Sequence, residues 1–310
     1  MGVDRYTSSL STADEPRSFL DHMAAWINWR RFLVSLGFIF FITSILFPFY
    51  WMISSSFKTR AEIGARRPVY VPGALRLEAY QELFDPQNPN YKDFGINILN
   101  SIKVAVPTSI VAVFLSVLGS YAIARLKFRG KEVMLNSILM IYLFPGVLLI
   151  IPLFAMLARI GDALGFAVQD NLAILIFTYL AQTLPVALYM LTNYFRTIPS
   201  EIEQAGLIDG CSRVDVIWRI TLPLAIPALV SVAIYTFMIA WNEFLYALVF
   251  LNSRDMFTMP IKINAIFNDP SPQPHVVMAA STIMTIPVVI LFLALERFLE
   301  EGLTAGGVKG

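Results

Sequence analysis

Six runs of predominantly apolar residues, 32–53, 104–124, 133–157, 172–191, 223–250 and 276–295, are separated along the chain by polar segments. Each is about as long as the roughly 20 residues a helix needs to cross a bilayer. The pattern predicts an all-α, polytopic membrane protein with six transmembrane helices. Composition supports it: 57% of the residues are hydrophobic and 15% are charged, against roughly 25% charged in soluble domains. A soluble chain of 310 residues could not hide that much apolar surface. The first run follows about 30 largely polar residues, is too long for a signal peptide and has no small-residue cleavage site after it.

Six spans place both termini on one side, and the basic residues suggest which. Thirteen Lys and Arg lie on the terminus side, including Arg125, Lys127, Arg129 and Lys131 between the second and third runs. The opposite side has only Arg159, Arg254 and Lys262 once the long loop from Lys58 to Lys103 is set aside, since long loops weigh little in orientation. Both termini are therefore expected in the cytoplasm. The expected organisation is a cytoplasmic N-terminal segment, 1–31, a transmembrane domain, 32–297, and a cytoplasmic tail, 298–310. Residues 1–16 read as disordered, whereas Phe19, Met23, Trp26 and Ile27 share one helical face and predict a short interfacial helix before the first span. The loop 54–97 is too polar for lipid and large enough for a small extracytoplasmic structure. Prolines 107, 145, 152, 185, 227 and 287 predict bent spans, whose freed backbone groups must face protein or a water-filled cavity.

Charge and reactive residues narrow the chemistry. A net charge of +1 argues against nucleic acid as a partner. A single cysteine, Cys211, excludes an internal disulfide, and with two histidines it leaves little material for a transition-metal site. Glu243, beside Asn242 in the fifth run, is a costly charge for a membrane interior, and such groups face a cavity or a partner. Gln182 sits mid-span before Pro185. These three residues are candidates either for lining a translocation path or for clasping helices together.

The segment 193–222, between the fourth and fifth spans, is the most informative. Pro199 stops the preceding helix. Ser200 with Glu203 forms a capping-box pattern that predicts a short helix to about Ile208. Asp209-Gly210 breaks it, Asp209 being placed to satisfy free backbone donors at the turn. Ser212 with Asp215 starts a second short helix running toward Pro223. The result is a stiff helix–turn–helix knuckle between two spans, either a connector or an element for another protein to grip.

Gln204-Ala205-Gly206-Leu207-Ile208-Asp209-Gly210, with Pro223 thirteen residues further on, resembles the cytoplasmic coupling motif of binding-protein-dependent ABC importer permeases. Gln204 stands where that family usually has Glu, and Gly206 where it usually has Ala. Phe57-Lys58-Thr59, Tyr80-Gln81-Glu82-Leu83-Phe84, Asn100-Ser101, Tyr121-Ala122-Ile123-Ala124-Arg125, Trp241-Asn242-Glu243-Phe244 and the tail Gly302–Gly310 are similar to the carbohydrate-uptake branch, in particular the smaller permease of maltose-type importers. The resemblance implies a permease subunit in a bacterial or archaeal cytoplasmic (inner) membrane. It implies as partners a second permease subunit, two ATP-binding subunits and an extracytoplasmic sugar-binding protein, with a di- or oligosaccharide as cargo. It further implies that Glu203, Gln204, Ala205, Gly206, Asp209 and Gly210 couple to the ATP-binding subunits. No Gly-x-x-x-x-Gly-Lys-Ser/Thr phosphate loop is present, so this chain is expected to bind no cofactor, with ATP and Mg on the partner subunits, and not to be an enzyme. The competing reading is an ion-coupled secondary transporter, which would need intramembrane acidic or histidine relays and a repeat among the spans.

Overall fold

The computed structural model describes residues 19–143, 145–271 and 273–307. It divides within its first helix into two units, Met1–Met52 and Ile53–Gly310. In the first unit, helix α1 (Phe19–Ser56) carries an apolar stretch whose side chains from Trp29 to Tyr50 are all exposed. Its 38 residues span ~57 Å, well beyond a hydrocarbon core of ~30 Å. The segment expected as a separate interfacial helix is helical from Phe19 but runs into the span without a break. Residues 1–18, including those expected to be disordered, lie outside the described residues.

The second unit is built on α4 (Phe94–Arg125), preceded by α2 (Arg60–Ile63) and α3 (Glu78–Leu83). α4 packs against α7 (Leu172–Thr197) and α11 (Ile226–Asn242). Its buried face carries Ser101, Ala105, Thr108, Ser109, Ala112, Ser116 and Ser120. Small residues let membrane helices approach closely, and their hydroxyls satisfy backbone groups across the contact. Ser120 Oγ donates to Leu188 O at 2.9 Å, and Ser109 Oγ to Ala233 O at 3.0 Å. A Cβ on Gly119 would lie 2.6 Å from Leu188 Cδ2.

Among the described residues, five helical stretches are long and apolar enough to cross a membrane: Trp29–Ser56, Phe94–Arg125, Gly146–Leu164, Leu172–Thr197 and Pro274–Phe298. A sixth candidate is the pair Arg213–Leu224 and Ile226–Asn242, bent by 82°. Two expected spans are not single rods. The run 133–157 divides into α5 (Lys131–Tyr142), a 3-10 turn at Gly146–Leu149 and α6 (Ile150–Leu164). Pro145, with extended backbone, makes that break, since proline disfavours a helical residue before it and supplies no N–H. The run 223–250 is bent at Ala225, and it breaks again at Glu243-Phe244 before α12 (Leu245–Phe250).

At one end of the bundle the long loop forms the small structure expected of it. Ala79, Leu83, Tyr91 and Phe94 pack with Met259 and Ile266 of α13 (Met259–Phe267) and with Val276 and Ala280 of α14 (Pro274–Gly307). Side chains pair the loop backbones. Asn97 Nδ2 donates to Arg254 O and Phe257 O, Asn100 Nδ2 donates to Asp255 O and Phe257 O, and Met259 N donates to Ser101 Oγ. α14 continues through Gly307, so the expected tail is helical as far as it is described; residues 308–310 lie outside the described residues.

Candidate functional site

The knuckle lies at the opposite end of α4, where Arg125 closes that helix. α8 (Ser200–Ile208) follows α7 after Pro199, and α9 (Arg213–Val216) opens a helical run that passes through a π turn, Ile217–Thr221, into α10 (Leu222–Leu224). The Ser212–Asp215 capping box forms as expected: Asp215 N donates to Ser212 Oγ at 3.2 Å, and Ser212 N to Asp215 Oδ2 at 3.2 Å. The Ser200–Glu203 box does not form. Pro199 occupies the cap position and Ser200 is already helical, because Glu203 is drawn inward by a stronger partner. Gly210 adopts φ +90°, the left-handed region that glycine occupies without penalty. Cys211 N then returns to Gly206 O at 3.0 Å, and Gly210 N to Leu207 O at 3.2 Å, closing the α8 terminus. The Asp209 carboxylate has no partner among the described residues, so it does not satisfy the donors of the turn as expected; Ser212 alone caps the helix that follows.

Glu203 is 5% exposed. Arg125 Nε donates to its Oε1 at 2.9 Å and Thr221 Oγ1 to the same oxygen at 3.1 Å, while the Tyr121 hydroxyl donates to Oε2 at 3.4 Å. A buried carboxylate is tolerable only when paired and hydrogen-bonded, and here both oxygens are used. Tyr121 and Arg125 lie four residues apart on one face of α4. That spacing, visible in the Tyr-Ala-Ile-Ala-Arg motif, was the available signal; in the sequence Arg125 reads as part of a basic cluster that sets topology, and both residues as part of the family resemblance. Gly206 is buried, and a Cβ there would run into Ile220 Cδ1. Gln204, Ala205, Asp209 and Gly210 are exposed, as are large apolar side chains: Ile208 at 85%, Val214 at 63% and Trp218 at 53%.

A cavity of about 800 Å³ opens where the two broken spans meet. Pro145 and Gly146 border it on one side, Pro185 of α7 on another, and Glu243, Leu245 and Tyr246 on a third. Pro152 also lines it, so three of the six span prolines fall on this cavity, as freed backbone in a membrane requires. Tyr246 Oη donates to Gly146 O at 3.2 Å, tying one break to the other. Of the candidate path residues, Gln182 and Glu243 line the cavity and Asn242 does not. Asn242 is exposed and donates to Met238 O of its own helix. Glu243 is not within a helix but at the break, where its carboxylate accepts from Tyr246 N at 2.9 Å, Ala247 N at 3.1 Å and the Tyr179 hydroxyl at 2.7 Å. It caps α12 and is pinned to α7. Tyr235 and Tyr246, polar lining residues from α11 and α12, were not legible in the sequence.

A bundle of membrane-length helices with two spans broken at a shared cavity, and a stiff loop presenting bare apolar side chains, defines a membrane transport component. Residues 112–305 match the family described as the binding-protein-dependent transport system inner membrane component. The chain is 43% identical over 285 residues to the inner membrane ABC transporter permease protein YcjP of Escherichia coli (strain K12), covering 91% of this chain and 99% of that one. It is 35% identical over 288 residues to the trehalose/maltose transport system permease protein MalG of Thermococcus litoralis, covering 91% and 98%. Its fold is similar to that in a crystal structure of a bacterial ABC transporter involved in the import of the acidic polysaccharide alginate, with TM-score 0.72, 20% identity and coverage of 91% and 99%. The chain therefore belongs to the family of binding-protein-dependent transport system inner membrane components, and it is a multi-pass permease rather than an enzyme. Membership leaves the ion-coupled reading without support.

Proposed function

We propose that the chain is one of two permease subunits of an ATP-driven importer, and that the knuckle docks the ATP-binding subunits and carries their closure to the spans. The observation that carries this reading is the knuckle's construction: a frame held by a capping box, a left-handed glycine and a buried ion pair, displaying Ile208, Val214 and Trp218 more than half exposed. A connecting loop has no need to be rigid, and exposed apolar groups on a rigid frame suit a partner's surface. Glu203 and Gly206 then act from inside the knuckle, while Gln204, Ala205, Asp209 and Gly210 face the partner. ATP and Mg are bound by those partner subunits. The knuckle and both termini are cytoplasmic, and the clasped loops at the other end receive an extracytoplasmic binding protein. The cargo is a di- or oligosaccharide, in keeping with the trehalose/maltose relative. The cavity's apolar walls with Gln182, Tyr235 and Tyr246 suit a sugar's ring faces and hydroxyls, and Glu243 stabilises the break beside it.

The test is pull-down of the ATP-binding subunits by Ile208→Asp and Gly210→Val. Fully burying an isoleucine is worth about 1.5–3 kcal/mol, so Ile208→Asp is expected to weaken docking roughly 10–100-fold with membrane insertion unchanged. Normal docking by both variants would reduce the knuckle to a connector. Orientation is tested in a Cys211→Ser background. Asn88→Cys is expected to react with an impermeant maleimide on intact cells, and Gln204→Cys only after permeabilisation; the reverse pattern would invert the topology.

A further inference from the structure

Chain connectivity alone would pass a push on the knuckle to its two flanking helices, α7 and α11. The ion pair adds a third route. Arg125 and Glu203 are 78 residues apart in sequence, yet their side chains are only 12% and 7% exposed at 2.9 Å. The same guanidinium donates from Nη2 to Ile198 O at 2.8 Å, just beyond the end of α7. Arg125 thus joins three segments with one planar group: the end of α4, the exit of α7 and the inner face of α8. Arg213 of α9 lies beside the Tyr121 hydroxyl that also reaches Glu203, which brings the second arm of the knuckle to the same turn of α4. A guanidinium can bridge a carboxylate and a carbonyl through its rigid fork, whereas a lysine ammonium is a single point on a flexible stem. α4 supplies no side chain to the cavity. It packs behind α7 and α11, which do line it, and is fastened to them by Ser120 and Ser109. A helix in that position moves both cavity walls together.

We propose that Arg125 is a positioning residue for coupling: it locks the knuckle to the end of α4, so that knuckle and α4 move as one body when the ATP-binding subunits close. This rests on the docking role of the knuckle proposed above. The experiment uses the assembled complex in lipid bilayers, with Cys211→Ser and spin labels at Lys127→Cys, just past α4, and Glu201→Cys on α8, both exposed. Distances are measured without nucleotide and with the hydrolysis-resistant analogue AMP-PNP. With Arg125 present, the inter-label distance is expected to be the same in both states. With Arg125→Gln it is expected to shift or broaden on AMP-PNP addition and the complex's ATPase rate to change at least ~3-fold, while pull-down of the ATP-binding subunits stays within ~2-fold; Arg125→Lys is expected to restore part of the fixed distance. Glu203→Gln, which keeps the side chain's volume, is expected to reproduce Arg125→Gln and carries the test if the arginine variant does not accumulate in the membrane. A nucleotide-dependent distance with Arg125 present, an unchanged distance in both variants, or loss of docking in Arg125→Gln would each overturn the proposal. Normal docking by both Ile208→Asp and Gly210→Val would instead overturn the docking role itself, whatever Arg125 does.

Discussion

The two ends of α4 are finished in opposite ways. At the loop end, apolar side chains are buried among themselves, and the connecting backbones are held by neutral amides and hydroxyls from Asn97, Asn100 and Ser101. Lys262, 2% exposed, adds a bond from Nζ to Asn90 O at 2.9 Å, and burial pushes its ammonium below the ordinary lysine range. At the knuckle end, the polar groups are ionic and buried, while the apolar groups Ile208, Val214 and Trp218 stand in the open. The loop end buries an apolar cluster and ties its backbones together within the chain, but Glu82 Oε2, Asn97 Oδ1, Thr258 Oγ1 and His275 Nδ1 are buried there without a hydrogen-bond partner among the described residues, and Val71, Leu75, Phe84 and Phe267 stay exposed. The knuckle end is rigid but incomplete, and only an added surface would cover what it exposes. A single helix therefore joins an end held mainly by neutral hydrogen bonds to one held by a buried ion pair.

The largest expected effect sharpens the contrast between buried and exposed charge. Arg125→Ala leaves a buried carboxylate unpaired and is expected to cost about 3–5 kcal/mol. Arg196→Ala breaks the Arg196–Glu132 pair, 36% and 57% exposed, and is expected to cost about 0–1 kcal/mol. Thermal melts of the two variants in detergent check this; equal losses would mean the buried pair is no anchor. Next is the loop end, where Asn100→Leu strands the carbonyl of Asp255 and leaves that of Phe257 to Asn97 alone, and is expected to cost about 1–3 kcal/mol. Its effect should be confined to that end, read as faster hydrogen exchange in residues 254–259 with the knuckle unchanged.

Gly206→Ala is smaller, about 1 kcal/mol or less, because the obstructing atom is the far end of Ile220 and can swing aside. Melting temperature reads it. The smallest effect concerns Asp170, which holds φ 55° and accepts from Asn252 N at 2.7 Å, Ser253 N at 2.9 Å and Ser253 Oγ at 2.7 Å. Burial would raise its carboxyl, but the bonds from Ser253 and Asn252 outweigh that and hold it below the usual range. A lowered carboxylate stabilises the fold above its unfolded value of about 3.9, and that contribution fades as pH falls through the lower folded value. Wild type and Asp170→Asn are therefore expected to differ at pH 5 and to converge only below about 3.9, as melts across that interval would record.

The number and approximate position of the membrane-length segments were legible from apolar run length alone, because a bilayer imposes one length on every span. The second half of the knuckle was legible too, since Ser212, Asp215 and Gly210 act through neighbours within three residues, and local chemistry is written locally. The breaks at Pro145 and Glu243 were not read as breaks. A proline bends some helices and ends others, and the Glu243 carboxylate is shared between the start of α12 and Tyr179 on another span. Glu203 shows the limit most sharply. By spacing it belonged to Ser200 and a cap; in space it belongs to Arg125, 78 residues away, because a buried charge follows the strongest available partner rather than the nearest in sequence. The sequence by itself thus determined the membrane class, the spans and the turn at Gly210. Which polar groups meet, where two broken helices open a cavity, and which apolar side chains remain bare were decided only when the spans packed, since each depends on contacts between segments that no local pattern encodes.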